Sequence, residues 1–169
     1  MTTGHRAALR TIDDALLAEL LRVAVLDAAA DEVTPPLTPG HGWTPQRQDW
    51  FVAYHRRCRD GLAGPSGEAA WAVVVDGAPM GCVRLKRTAE AGVLEVGIWL
   101  RRSARGRGIG SQAMTAVLAE ASAAGASAVV ADTASGNRGA CALLRAAGFT
   151  LTESQTPDGR VGARRTLTD

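Results

Sequence analysis

The stretch that decides the fold runs from Leu94 to Gly110 and reads LEVGIWLRRSARGRGIG. Its first half is an apolar, β-branched-rich run that stops at two arginines, which predicts a strand. A loop with glycines at 106, 108 and 110 follows, and a helical pattern begins at Ser111. Unpaired backbone N–H groups and the positive end of a helix dipole converge at such a junction. The stretch therefore predicts a cradle for a phosphate or pyrophosphate group.

Bulk properties narrow the function classes. The chain has 169 residues and a formal net charge of +2, which favours one domain and disfavours a general electrostatic nucleic-acid binder. Its three cysteines are widely spaced, and its three histidines are scattered, so we predict neither a disulfide framework nor a metal site. No apolar run approaches about 18 residues, so we expect no membrane span and a reduced, cytoplasmic setting.

The part of the chain before this stretch reads as two helices and an antiparallel meander. Residues 7–12 predict a weak strand, and Asp13 or Asp14 caps a helix to about Ala29. Prolines and glycines make residues 31–43 a loop, after which Thr44 and Pro45 start a helix to about Leu62. Strands are predicted at 70–75, 80–85 and 93–100, with Asp76-Gly77-Ala78-Pro79 as the first turn.

The part after the glycine loop predicts a helix, a strand, a second helix and a closing hairpin. These elements cover about 111–123, 128–131, 138–147, 149–153 and 161–167, with a polar elbow at 132–137 and a turn at 157–159. Strand 93–100, helix and strand 128–131 form a βαβ unit, which pairs its strands in parallel. We therefore predict an α/β to α+β fold, a mixed and mostly antiparallel sheet with a central parallel pair and helices on both faces.

Glycine spacing excludes the common nucleotide loops. A Walker loop needs a lysine that is missing here, and Gly110 is out of phase for a Rossmann fingerprint. The loop instead fits the pattern Arg/Gln-x-x-Gly-x-Gly/Ala, with the residues Arg105-Gly106-Arg107-Gly108-Ile109-Gly110. In this loop the chain resembles the GNAT superfamily of acetyl-CoA-dependent N-acetyltransferases, and in particular its Rim-type branch. A second segment, from Asn137 to Gly148-Phe149, also matches that family. The resemblance covers about residues 70–169 of a single GNAT-like domain and leaves 1–67 as the variable acceptor-binding part.

The resemblance implies acetyl-CoA as cofactor and a set of binding residues. Backbone groups of Ile98, Trp99 and Leu100 would pair with the pantetheine arm, and Asn137 would bind near the thioester. The pyrophosphate would be held by Arg105, Gly106, Arg107, Gly108, Ile109, Gly110 and Ser111. For Arg101 and Arg102, contact with the 3′-phosphate and a role as solvated surface charge remain equal alternatives.

Two carboxylates are candidates for the catalytic base, because acetyl transfer requires an unprotonated amine. Glu95 lies in an otherwise apolar strand, and Asp132 follows a strand, near where some Rim-type members carry a glutamate. The alternatives are an outward-facing strand residue for Glu95 and a turn or cap for Asp132.

The usual general acid of the family is missing. Leu144 occupies the position of its tyrosine, and Ala140 occupies the position of a serine found in a related branch. Tyr54, Ser135 or a water is a possible substitute, and a thiol with a pKa of about 8.5 is itself a fair leaving group. Cys141 lies on an apolar helical stripe, which favours a buried structural thiol over a nucleophile.

We expect the acceptor to meet Trp43, Trp50 and Tyr54, which lie in the N-terminal part. The leading hypothesis is acetyl transfer to a primary amine of a small molecule, similar to an antibiotic or polyamine. The alternatives are a protein N-terminus, as in ribosomal-protein acetyltransferases, and a non-catalytic acyl-CoA-binding module. No nucleic-acid or membrane partner is expected, and the oligomeric state stays open, a homodimer included.

Overall fold

A computed structural model describes residues 5–153 and 158–168. In these ranges the helices are α1 (Asp14–Asp27), α2 (Ala30–Val33), α3 (Pro45–Arg57), α4 (Ile109–Ala123) and α5 (Arg138–Ala146). The strands are β1 (Ala8–Thr11), β2 (Glu68–Val75), β3 (Ala78–Arg87), β4 (Val93–Leu100), β5 (Ala128–Ala134), β6 (Thr150–Glu153) and β7 (Arg160–Thr166). Each main element of the sequence prediction is present.

The strands form one seven-stranded sheet in the order β1-β2-β3-β4-β5-β7-β6. All neighbouring pairs are antiparallel except β4 and β5, which run parallel. The parallel pairing covers Val93–Ala128, Leu94–Val129 and Glu95–Val130, after which the two strands part. This confirms the predicted α/β (α+β) class and the position of the parallel pair.

The turn between β2 and β3 is tighter than predicted. Asp76 and Gly77 have φ angles of 51° and 81°, and Val75 pairs directly with Ala78. Two residues with positive φ form the type I′ turn that matches the twist of a hairpin. The strands consequently continue through Ala78 and Pro79, which we had placed in the turn.

Two hydrophobic cores lie on opposite faces of the sheet. One packs α4 and α5 against side chains such as Val83, Val96 and Val129, and we call this side the α4/α5 face. The other packs α1 and α3 against Ala72 and Cys82, and we call it the α1/α3 face. Both sides of the sheet are therefore covered by helices, as the sequence predicted.

Several boundaries differ from the sequence prediction. The short helix α2 interrupts the predicted 31–43 loop, and α3 ends at Arg57 and continues as a 3₁₀ turn, Cys58–Asp60. Helix α4 begins at Ile109, two residues before Ser111. Strand β5 extends to Ala134, because β7 pairs with it along its whole length, so Asp132 lies in a strand. Of the predicted final turn, Pro157 lies outside the described residues.

Among the described residues, no helix is long and apolar enough to cross a bilayer. No group of three or more metal-ligating side chains occurs among them. Cys58, Cys82 and Cys141 are all buried free thiols.

A buried histidine on α3 makes the stability depend on pH. His55 is 3% exposed, and burial lowers its pKa to about 4, with a smaller contribution from Arg59. The unfolded chain, with a histidine pKa of about 6.5, binds this proton more readily, so stability is complete above that value and falls as the pH drops towards 4. We expect the free energy of unfolding to fall by roughly 3 kcal/mol over this interval, at about 1.4 kcal/mol per pH unit.

Urea unfolding at a series of pH values measures this effect. The variant His55→Leu should show a shallow dependence between pH 6.5 and 4, whereas His5→Gln, which alters an exposed imidazole, should keep the wild-type slope. Equal slopes in wild type and His55→Leu would contradict the assignment.

Candidate active site

The candidate site begins where β4 leaves β5. The Arg101 N–H donates to the Met80 carbonyl, at 2.8 Å, and the Trp99 carbonyl also faces β3, since a Cβ added at Gly81 would lie 2.0 Å from it. Backbone groups of successive strand residues point to opposite edges, so those of Ile98 and Leu100 face the gap left by β5. An extended, amide-bearing ligand could pair with this edge as an added strand. Of the three residues assigned to the pantetheine arm, Trp99 has its backbone turned towards β3.

The anion cradle lies at the start of α4. Gly106 and Gly108 have φ angles of 71° and 77°, and Gly108 is the N-cap residue. Among the described residues, no side chain caps this helix, so its first N–H groups are free for a ligand. A Cβ added at Gly106 or Gly108 would meet no atom within 4 Å, so the space above the N–H groups is open. The geometry fits the pyrophosphate of acetyl-CoA.

Arg105 of the cradle and Arg101 just before it are already held by the α1–α2 segment. The Asp27 carboxylate accepts from Arg101 Nε at 2.9 Å and from the Ser103 hydroxyl and N–H at 2.6 and 3.2 Å. These bonds, the Ser103 hydroxyl foremost, lower the pKa of Asp27 to about 2. Arg105 pairs with Glu32 at 2.6 Å and donates to the Leu100 carbonyl.

Arg101 and Arg102, the two arginines before the cradle, have different surroundings. Arg101 forms an ion pair with Asp27, whereas the side chains of Arg102 and Arg107 are exposed and donate no hydrogen bond to another described residue. Arg102 and Arg107 are therefore the better placed of the three for a phosphate outside the cradle.

Asn137 serves as the N-cap of α5. Its side-chain oxygen accepts from the Ala140 N–H at 3.0 Å, while its amide NH₂ group donates no hydrogen bond to another described residue and could donate to a ligand. Strand β5 ends three residues earlier, at Ala134, so the cap lies beyond the carboxyl end of β5 on the far side of the gap.

Glu95 lies at the apex of the gap, in the last β4–β5 pair. Its side chain shares the α1/α3 face with Gly97 and Trp99, and the Trp99 ring lies 6.3 Å from that of Phe51. Glu95 Oε1 accepts from Arg84 Nη2 at 2.6 Å. The side chain of Glu95 is thus half-buried and paired with an arginine on the α1/α3 face of the sheet.

Asp132 lies on the same face as Glu95, two residues beyond the last pair. It is exposed and binds Arg160 of β7 through both oxygens, at 2.9 and 3.2 Å. The hydrogen bonds to Asp132 raise the pKa of Arg160. Asp132 caps neither a turn nor a helix, because β5 continues past it. Both candidate carboxylates therefore face the gap from one side, each with its own arginine.

The donors expected for the departing thiolate lie elsewhere. Leu144 is buried in the core under α5, and Cys141 is buried beside it, as predicted for a structural thiol. Tyr54 donates its hydroxyl hydrogen to Glu68 at 2.8 Å, and burial raises the pKa of this phenol. Ser135 is exposed in the elbow after β5. The described residues thus bring no evident acid to the apex.

The predicted acceptor residues separate into one structural and two surface-lining side chains. Trp43 donates its indole N–H to the Ala28 carbonyl and packs edge-on against Phe51, so it anchors the N-terminal segment. The rings of Trp50 and Tyr54 stack at 4.9 Å on α3, both partly exposed.

Two residues of this arrangement were absent from the sequence prediction. Arg84 and Asp27 sit among ordinary strand and helix residues, and their partners are distant in sequence. A charged residue within an apolar strand was the available signal for Arg84, and Asp27 carried none.

Comparison with known proteins agrees with the geometry. The family model described as the acetyltransferase (GNAT) family matches residues 22–149. The chain belongs to this family and is an acetyl-CoA-dependent acetyltransferase. No curated protein matches it significantly.

Several solved structures share the fold. The RimL ribosomal L7/L12 α-N-protein acetyltransferase in complex with coenzyme A is 18% identical, with a TM-score of 0.75 over 96% of this chain and 94% of that one. The Salmonella typhimurium enzyme that modifies the N-terminal serine of L7/L12 is 16% identical, with a TM-score of 0.74 and 96% coverage of both. A microcin C7 self-immunity acetyltransferase in complex with acetyl-CoA and AMP is 14% identical, with a TM-score of 0.71 and 98% coverage of both.

Proposed function

We propose that this enzyme acetylates the α-amino group at the N-terminus of a peptide or protein. When bound, acetyl-CoA supplies an acetyl thioester, which a free amine converts to an amide with release of CoA. The cradle at 106–111, the Ile98 backbone and Leu100 N–H at the gap, and the Asn137 amide are the groups that would hold it, since the Leu100 carbonyl already accepts from Arg105. Glu95 and Asp132 would attract and orient the acceptor amine on the α1/α3 face.

The observation that carries the proposal is that both carboxylates at the gap are paired with arginines. A carboxylate oxygen that already accepts from a guanidinium is less free to take a proton from an ammonium, but it can orient an amine that arrives unprotonated. The site is therefore better suited to hold an amine than to strip a proton from a strongly basic one. Water can take the proton from an amine that is already weakly basic.

Amine basicity then separates the acceptor classes. An α-amino group has a pKa of about 7.7–8.0, so roughly a third of it is unprotonated at pH 7.5. A lysine-like or polyamine group has a pKa of about 10.4 and is only about 0.1% unprotonated there. The α-amino group needs the least help from the enzyme. The similarity to α-N-protein acetyltransferases supports the same acceptor.

The test compares three acceptors by CoA release across pH 6–9. They are a lysine-free peptide with a free N-terminal serine, an N-acetylated peptide with one lysine, and spermidine. We expect kcat/KM for the first to exceed the others by about 100-fold or more, following the difference in free amine, and to rise up to about pH 8. Preference for spermidine or lysine would overturn the proposal.

Variants connect the activity to the gap. Since a hydrogen bond to a charged group contributes about 1.5–3 kcal/mol, Glu95→Gln should lower kcat/KM by about 10- to 100-fold. The matched control is Glu90→Gln, which removes another carboxylate paired with an arginine, Arg164, away from the gap. Equal losses in both variants would show that the gap carboxylate has no special role.

A small-molecule amine is the second candidate. The microcin self-immunity acetyltransferase shares the fold and was solved with AMP, which favours a soluble acceptor in that protein. A small molecule whose amine is as weakly basic as an α-amino group would need equally little help from the enzyme to lose its proton. Spermidine, in the test above, represents the strongly basic small-molecule amines.

A further inference from the structure

We propose that Arg84 is a positioning residue of the acceptor site, seated over Gly97 to hold the Glu95 carboxylate in one orientation at the apex of the gap. The inference rests on the proposed function for the role of Glu95 as amine anchor. The position of Arg84 itself is independent of which amine is acetylated.

Gly97 creates the seat. It is the second residue of β4 beyond the last pair with β5, and it lies directly opposite Arg84 in the β3–β4 register. A Cβ added at Gly97 would lie 2.8 Å from Arg84 Nε and 3.3 Å from Cζ. The guanidinium therefore lies against the backbone of β4, and any larger residue at position 97 would displace it.

The choice of partner is selective. Lys86 is the residue directly opposite Glu95 on β3, and it shares the same face. It is exposed and has no recorded partner among the described residues, whereas Arg84, on the diagonal, binds Glu95 at 2.6 Å. Glu95 is thus held by its diagonal neighbour on β3, which lies further along β4 towards the part that has left β5, and not by the residue directly opposite.

A contribution to stability does not account for the arrangement. Arg84 Nη1 is fully buried and has no hydrogen-bond partner among the described residues. A buried charged donor without a partner costs free energy, and it persists where another requirement outweighs the cost. Holding the Glu95 carboxylate at the apex is such a requirement.

The electrostatic surroundings are mixed. The groups that act on Arg84 besides Glu95 are Glu68 from β2, Tyr54 from α3 and Cys58 from its 3₁₀ turn, and Lys86 lies opposite Glu95 on β3. Burial alone would lower the pKa of Arg84, but the Glu95 hydrogen bond and nearby negative charges raise it. The guanidinium therefore remains charged throughout the working range.

The experiment has an activity arm and a structural arm. In the activity arm, kcat and KM for the N-terminal-serine peptide are measured at the pH of maximal rate for Arg84→Met, Arg84→Lys and Lys86→Met. We expect Arg84→Met to lower kcat/KM at least about tenfold, mainly by raising KM for the peptide, since the carboxylate that would hold its amine is no longer fixed in one orientation. Arg84→Lys should restore part of the rate, and Lys86→Met should stay within about twofold of wild type.

Acetyl-CoA affinity separates positioning from general damage. It should change less than about twofold in Arg84→Met, because the cradle lies at the other end of the gap. Loss of acetyl-CoA affinity together with activity, or a loss confined to kcat with an unchanged KM for the peptide, would overturn the proposal.

The structural arm needs no acceptor. The Arg84 Nη2 hydrogens, which donate to Glu95, should be protected from exchange in ¹⁵N NMR of wild type and Lys86→Met, and should lose that protection in Glu95→Ala and Gly97→Val. Protection that survives Glu95→Ala would overturn the pairing. If this arm succeeds while no peptide is acetylated, the proposed function fails and the pairing stands.

Discussion

The variant Gly108→Ala should bind acetyl-CoA about 10- to 100-fold more weakly than wild type, because hydrogen bonds to a charged group contribute about 1.5–3 kcal/mol each. Gly108 has a φ of 77° at the N-cap of α4, where a side chain is strained and would point into the open space of the cradle. The added methyl group would both displace the free N–H groups and occupy the place of the phosphate oxygens. Isothermal titration calorimetry with acetyl-CoA measures the change.

Gly125 provides a matched control for this prediction. It follows the other end of the same helix with a φ of 81°, and a Cβ there would also meet nothing within 4 Å. Gly125→Ala should therefore lower the free energy of unfolding by about as much as Gly108→Ala, on the order of 1 kcal/mol, without weakening the binding of acetyl-CoA. Equal affinities for the two variants would show that the cradle is elsewhere.

Arg47→Met should lower the free energy of unfolding by about 2–4 kcal/mol, because it removes several hydrogen bonds of about 0.5–1.5 kcal/mol each, while the Asp31 carboxylate left behind is 38% exposed. Arg47 is completely buried. It donates to the Asp31 carboxylate at 2.7 Å, to the Thr38 hydroxyl and carbonyl at 3.1 Å, and to the Gly40 carbonyl at 3.0 Å. These bonds fix the segment between α2 and α3, so its loss should also expose residues 35–41 to proteolysis.

Urea unfolding and limited proteolysis check this result. Arg57→Met alters an exposed arginine on the same helix, whose recorded contact is with the Tyr54 ring at 6.0 Å, and should change stability by less than about 0.5 kcal/mol. Arg47→Lys should recover little, because one ammonium cannot reproduce a planar fork of donors. A loss below 1 kcal/mol in Arg47→Met would mean that the segment is held by other contacts.

Local sequence patterns predicted most of the fold. The cap at Asp13, the Thr44-Pro45 helix start and the 93–100 strand all appear where the sequence placed them, since each depends on neighbours within a few residues. The boundaries that failed depend on distant partners. Strand β5 continues beyond its apolar residues because β7 pairs with it along its whole length. The 31–43 segment is held in place by hydrogen bonds from Arg47 of the following helix.

The candidate site was predictable in its cradle and less so in its charges. Glycine spacing and the second family motif indicated the acetyl-CoA loop, because the positive φ angles of that loop favour glycine over any other residue. The faces of Glu95 and Asp132 were set by strand alternation, but their arginine partners come from β3 and β7. Such pairings depend on sheet order, which sequence alone does not reveal.

The three residue pairs that join β4 to β5 have a consequence for the cell. Beyond them, the sheet consists of two ladders, β1–β4 and β5–β7, and a ligand lying between them becomes the strand that the polypeptide does not supply. Binding then adds to folding stability by mass action, by about 2.7 kcal/mol when the ligand is at 100 times its Kd. The supply of acetyl-CoA would therefore set the lifetime of the enzyme against proteolysis as well as its rate.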